Sequence, residues 1–154
     1  GSIARIERNH AGACYNAAID LIKGNGTDRA IVLMEQFYNF SDNDENGRSL
    51  LLDWYKKRTV GLLRSGKNQE GLDLIQKALN LNPNDHVAQF NSGIAYFRLL
   101  DYNKAIRKFK RCLELNPNDT YSKNYLFAIY TQKGDTLNAA LYETEATVIQ
   151  VPVK

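Results

Sequence analysis

The sequence is poor in the residues that build most small-protein chemistry. It holds two Cys, two His, three Pro and one Trp among 154 residues. A structural zinc site of four Cys and His ligands would need every Cys and His in the chain, which argues against that class. A disulfide scaffold is disfavoured by the same scarcity, and Cys14 and Cys112 fit a reducing compartment. Apolar runs stay short, as in Ala30-Ile31-Val32-Leu33-Met34, so neither a transmembrane helix nor a signal peptide is read, which is compatible with a cytoplasmic chain. Gly-rich phosphate loops, Gly-x-Ser-x-Gly and paired His motifs are also missing. The expectation is therefore a protein that is not an enzyme and needs no cofactor.

What is present has the balance of one soluble globular domain, with 44% hydrophobic and 24% charged residues. Lys and Arg number 20 against 17 Asp and Glu, a net charge of +3. That excess is too small to imply nucleic acid, so any basic surface must come from charge placement. The chain opens Gly1-Ser2 instead of Met, which reads as the scar of a cleaved tag on a piece of a longer protein.

The strongest signal is internal repetition. Asn82-Pro83-Asn84-Asp85 recurs as Asn116-Pro117-Asn118-Asp119, and the step from Pro83 to Pro117 sets the period. Leu79 and Leu113 keep the same spacing, as do Gly71, Ala105 and Ala139, then Ala78, Cys112 and Ala146, then Leu62, Tyr96 and Tyr130. Within 104–115 the apolar residues Ala105, Ile106, Phe109, Cys112 and Leu113 follow helical spacing. Small residues such as Gly93 and Ala105 allow two helices to approach, and Gly66 and Gly134 suit left-handed turns between paired helices. Leu100 occupies that place in the middle repeat, so a different turn is expected there. Pro83 and Pro117 stop the preceding helices, and Asp85 and Asp119 suit the caps of the next.

This pattern resembles the tetratricopeptide repeat, a helix-turn-helix unit of about 34 residues. The resemblance implies an all-α, right-handed superhelical solenoid of antiparallel helix pairs, with repeats at 52–85, 86–119 and 120–153. Gly93, Tyr96, Tyr102, Ala105, Phe109, Leu113 and Pro117 make the middle repeat the best match. The first departs at Thr59 and Gly71. The third departs at Phe127 and Glu143, its proline slips to Pro152, and we read 120–154 as a degenerate C-terminal repeat. Leu21, Gly24-Asn25-Gly26, Ala30 and Met34 suggest a divergent helix pair over 11–40, after an extension at 1–10. An inserted acidic loop over Ser41–Arg48, with the start of the next helix by 51, would separate it from the first full repeat.

Single residues have plain readings. His10 and His86 are expected as surface or capping residues, and Cys112 as a packing residue with no bridge to Cys14. Trp54 and Tyr55 open a repeat helix and are expected in the core. Asp42, Asp44, Asn46 and Asp53, with Gly47, have the spacing of an EF-hand calcium loop, but Ser49 and the short Asp53 depart from it and the connector reading is preferred. A calcium-regulated adaptor is kept as an alternative.

In the family the first helices line a concave groove. The implied places are Asp53, Lys56, Lys57, Val60, Leu63 and Arg64, then Val87, Phe90, Asn91, Ile94, Phe97 and Arg98, then Tyr121, Asn124, Tyr125, Ala128, Thr131 and Gln132. The expectation is an apolar, aromatic floor with a basic rim, taking a peptide or protein segment that is apolar with acidic flanks. Lys56 and Asn91 match two places of the family's carboxylate clamp, while Val60, Tyr121 and Tyr125 do not match the other three. Elsewhere Lys104, Arg107, Lys108 and Arg111 form one helical stripe, and 134–150 carries Asp135, Glu143 and Glu145 without a base. A solvated face is the preferred reading of the stripe, over a phosphate or acidic-partner site. RNA or an anionic membrane is the alternative partner, and neither is favoured.

Overall fold

The computed structural model describes residues 1–144. Ala146 and Pro152 of the third repeat, and Glu145 of the acidic stretch, lie outside the described residues. Eight helices and no strand are found among them: α1 (Ser2–Lys23), α2 (Thr27–Phe40), α3 (Glu45–Arg64), α4 (Asn68–Leu81), α5 (His86–Arg98), α6 (Tyr102–Leu115), α7 (Thr120–Gln132) and α8 (Thr136–Ala140). The repeat spacing reappears as helix starts, since Asn68, Tyr102 and Thr136 follow one another at a single period, as do His86 and Thr120. The chain divides into two compact units, Gly1–Arg58 and Thr59–Lys154.

In the first unit α1 packs on α2. Ala11, Cys14 and Ala18 of α1, and Ala30, Ile31 and Met34 of α2, are buried. Helix α1 begins at Ser2, so residues 2–10 form its opening turns. The inserted segment also differs from expectation. Only 41–44 are non-helical, and α3 has 20 residues against 13 in α5 and α7. The insertion is two added turns of helix instead of a loop over Ser41–Arg48. Asp44 starts it, its Oδ1 accepting the Gly47 N–H at 2.8 Å, and Glu45 then pairs with Arg48 at 2.8 Å. Trp54 and Tyr55 are buried, and the Tyr55 hydroxyl donates to Glu35 on α2 at 2.6 Å.

The second unit is built on close approach. Helix α4 packs on α5, α5 on α6, α6 on α7 and α7 on α8. A Cβ at Gly93 would lie 2.8 Å from the Phe109 ring, so glycine there lets α6 seat a phenylalanine against the α5 backbone. Phe109 is fully buried in a core with Phe97, Ala105, Leu126, Ile129 and Tyr130. Thr59, at the place the family gives to glycine, is buried and its Oγ1 has no partner among the described residues.

The inter-helix turns correct one expectation. Gly66 and Gly134 are left-handed, with φ of 74° and 73°, and Leu100 joins them with φ of 63°. Its amide bonds to the Phe97 carbonyl and that of Asp101 to Tyr96, the same pattern as Gly66 to Leu63 and Lys67 to Leu62. The middle turn is therefore the same turn, carrying a side chain that packs against the core. Besides Asp44, four aspartates of the second unit cap the helices that follow turns: Asp85, Asp101, Asp119 and Asp135 accept N–H groups three residues on.

Two substitutions test this packing. Gly93→Ala gains helix propensity but forces the enclosed Phe109 ring to move, and a net loss of about 1–2 kcal/mol is expected in urea unfolding. An unchanged or raised midpoint would contradict the close contact. At position 100 the usual order should invert. Leu100→Gly should exceed Leu100→Ala in stability by about 1 kcal/mol, because only glycine escapes the left-handed penalty. Equal or reversed stabilities would show that the turn is not left-handed.

Candidate partner-binding site

Four aromatic residues expected at the groove do meet in the second unit. Phe90 of α5 lies 6.4 Å from Tyr121 and 5.9 Å from Tyr125 of α7, ring centre to ring centre, and Phe97 lies 5.1 Å from Tyr125. Phe109 underlies them, stacked on Tyr125 at 4.8 Å and edge-on to Phe90 at 5.7 Å. Helical spacing brings this about. Phe90 and Phe97 are two turns apart on α5, and Tyr121 and Tyr125 one turn apart on α7.

Their exposure separates them. Tyr121 is 72% exposed and Val87 48% exposed, while Phe97 is only 6% exposed. Phe97, expected as a groove anchor, is thus a core residue, wedged between Tyr125 and Tyr102. Ala128 is buried as well. Phe90, Ile94, Tyr125 and Val60 are half-buried. Burial pushes the Tyr125 hydroxyl above its ordinary value while nearby Arg98 opposes it, so the ring stays neutral at physiological pH.

The polar groups are unequal. Asn91 is 8% exposed, and its Nδ2 has no hydrogen-bond partner among the described residues. Such a buried, unpaired donor costs the fold about 1–3 kcal/mol. Arg98 is exposed, yet its guanidinium donates to the Leu63 carbonyl, which fixes it beside the end of α3. Arg64 is exposed in the last turn of α3. The Asn124 Oδ1 accepts the Thr144 hydroxyl at 2.5 Å. Thr131 and Gln132 are exposed. Lys56 and Lys57 belong to the first unit, where Lys57 pairs with Asp53 at 2.9 Å.

The acidic segment does not form the twelve-residue loop a calcium site of that type requires. Asn46 and Asp53 lie within α3, Asp44 is occupied as its cap, and Asp53 is held by Lys57. A cluster that sequence reasoning missed lies elsewhere. The His86 Nε2, Cys112 Sγ and an Asp119 carboxylate oxygen fall within 4.8 Å of one another. Asp119 is fully engaged, accepting the Ser122 N–H at 3.2 Å and hydroxyl at 2.6 Å, with His86 Nε2 2.7 Å away. Burial pushes the Cys112 thiol up to about 11, which keeps it neutral and unreactive. The arrangement joins the first residue of α5 to the cap of α7. His86 is therefore a contact between the starts of α5 and α7 instead of a free surface residue. The signal available in the sequence was that His86 and Asp119 hold the first and last places of one repeat.

Helix pairs repeated at one spacing, joined by one kind of turn and capped at one place, define an α-solenoid of repeated helix hairpins. Residues 86–119 match the model of the tetratricopeptide repeat family. Among solved structures, MamA is 16% identical with a TM-score of 0.62, over 92% of this chain and 78% of MamA. MamA from Desulfovibrio magneticus RS-1 is 20% identical with a TM-score of 0.58, over 90% of this chain and 75% of that one. These likenesses show the fold. In sequence, Superkiller complex protein 3 of Mus musculus is 26% identical, over 75% of this chain. The chain spans 8% of that relative's length. No helix among the described residues is long and apolar enough to cross a membrane.

The Asp119 joint carries a pH signature. Burial raises its carboxyl, but the Ser122 hydroxyl and N–H and His86 together outweigh burial and hold it below the ordinary 3.8. A carboxyl depressed in the fold stabilises above its ordinary value, and that stability is lost as pH falls through the folded value. Asp119→Ala should lower stability by about 1–2 kcal/mol at pH 7. The gap to the natural chain should close in melting curves taken below about pH 4. A gap that persists unchanged into acid would show that the charge contributes nothing.

Proposed function

We propose that the second unit is a non-catalytic scaffold that holds an extended or helical segment of a protein partner against α5 and α7. The observation that carries this reading is the exposed Tyr121 ring, 6.4 Å from the half-buried Phe90 ring and on the same helix as half-buried Tyr125. Tyr121 offers an exposed aromatic anchor, with Phe90, Ile94 and Tyr125 supporting an apolar contact. Arg98 and Arg64 favour acidic residues beside those anchors, and they act mainly on the rate of association. Val60 and Asn124 complete the contact set proposed for this unit, and Phe97 serves it only by supporting Tyr125. Repeats of this family are protein-interaction modules, in keeping with the absence of a catalytic constellation from the sequence motifs.

The test separates binding from folding. Peptides selected from a displayed random library on the immobilised chain should be apolar with acidic flanks. Tyr121→Ala should weaken them by about 2 kcal/mol with the melting temperature unchanged. Asn91→Leu should leave the melting temperature equal or higher, because it removes an unsatisfied donor. If Tyr121→Ala keeps full affinity, the proposed surface is wrong. A loss of fold in Asn91→Leu would show that the amide has an internal role.

A further inference from the structure

The basic stripe expected as a solvated face forms one wall of a cleft. Lys104, Arg107, Lys108 and Arg111, on successive turns of α6, line a space of about 390 Å³. Tyr96 and Gln89 of α5, with Pro83 before it, line the remainder. This cleft lies wholly within the second unit, on residues other than the proposed Phe90–Tyr121–Tyr125 contact.

Its charges are balanced only at the two ends. Lys104 lies 3.6 Å from Asp101 and sits over the Tyr96 ring at 5.6 Å. Arg111 pairs with Glu114 at 2.7 Å and donates to Asn84. Arg107 and Lys108, between them, have no acidic partner within 4 Å among the described residues. Lys108 is half-buried, and burial first and Arg107 second push its ammonium below the ordinary value. Two neighbouring cations are thus held together without a counter-charge, a cost that an anion in the cleft would reverse.

The geometry points to this cleft as a binding site for a small ligand carrying two or more phosphate groups, free or as a lipid head group. Phosphate fits better than an acidic peptide. The cations are spread over about 10 Å of helix, the span of seven residues at 1.5 Å each, so several closely spaced anionic groups are needed to engage them together. Two of them are arginines, whose planar forks match phosphate oxygens. Beyond Tyr96 and Pro83, the residues of the lining are polar or charged.

The test uses tripolyphosphate and ATP as soluble probes, with phosphatidylcholine vesicles containing either phosphatidylserine or phosphatidylinositol 4,5-bisphosphate. Saturable binding of tripolyphosphate or ATP by calorimetry, with a raised melting temperature, is the expected result for a free ligand. Flotation with the bisphosphate vesicles and not with the phosphatidylserine vesicles would assign the head group. Either affinity should fall at least tenfold in Arg107→Glu and in Lys108→Gln. Lys110→Glu changes the charge of the same helix outside the cleft and should lower affinity less than threefold. Circular dichroism confirms folding, and exposed Arg107 provides the variant least able to disturb it. Equal losses in Arg107→Glu and Lys110→Glu would show general charge attraction and overturn the site. Failure of every probe to bind at millimolar concentration would overturn it too. Tighter binding of oligouridylate or a poly-glutamate peptide through the same residues would overturn the ligand class. Intact peptide binding in Arg107→Glu would keep this outcome separate from that of the proposed scaffold.

Discussion

The second unit depends on one ring in one gap. Phe109 occupies the space that a side chain at Gly93 would fill, and from there it touches both neighbours of its own helix. It lies flat on Tyr125 and edge-on to Phe90. A buried side chain that contacts both neighbouring helices sets the spacing of all three more firmly than any surface pair could, because interiors are close-packed and tolerate little change of volume. The exposed Tyr121 and the half-buried Tyr125 owe their positions to this internal support. The candidate surface is therefore an outward extension of the core.

Joints of a different kind connect successive repeats. Aspartate caps recur where helices begin, and at Asp119 the cap of α7 also engages His86 at the start of α5. A carboxylate with three donors is a well-satisfied group, so this joint holds two helix starts at a fixed distance with little dependence on hydrophobic area. Contacts between neighbouring units are what give repeat proteins their cooperativity. A buried polar joint adds specificity of register to them.

The repeat period makes the helix pairs legible in the sequence, since small residues, aromatics and prolines recur at the same offsets. Trp54 and Tyr55 could be placed in the core from their position in the repeat. The errors arose where a local rule was applied without its tertiary context. Leu100 lacks the glycine that a left-handed turn prefers, but its side chain is held by the core and the turn forms regardless. Phe97 shares a groove place with exposed Thr131, yet Tyr102 and Tyr125 enclose it, and Leu63 at the same place is buried too. The unpaired amide of Asn91 and the cleft beside Lys108 could not be read from sequence, because each depends on side chains brought together from different helices or turns.

The lengthened α3 has a consequence for how such chains can grow. Seven residues rotate an α-helix by about 700°, only about 20° short of two full circles. The added turns therefore preserve angular phase. Gly47, Leu51, Trp54, Tyr55, Thr59, Leu62 and Leu63 are buried along one continuous stripe that runs through the insertion without a break. An insertion of two or five residues would swing everything before it to another side of the cylinder and expose that stripe. Length is thus quantised at this point in the chain. A repeat can be extended by whole heptads while each residue keeps its side, so the sequence can depart from its period without the helix losing its phase.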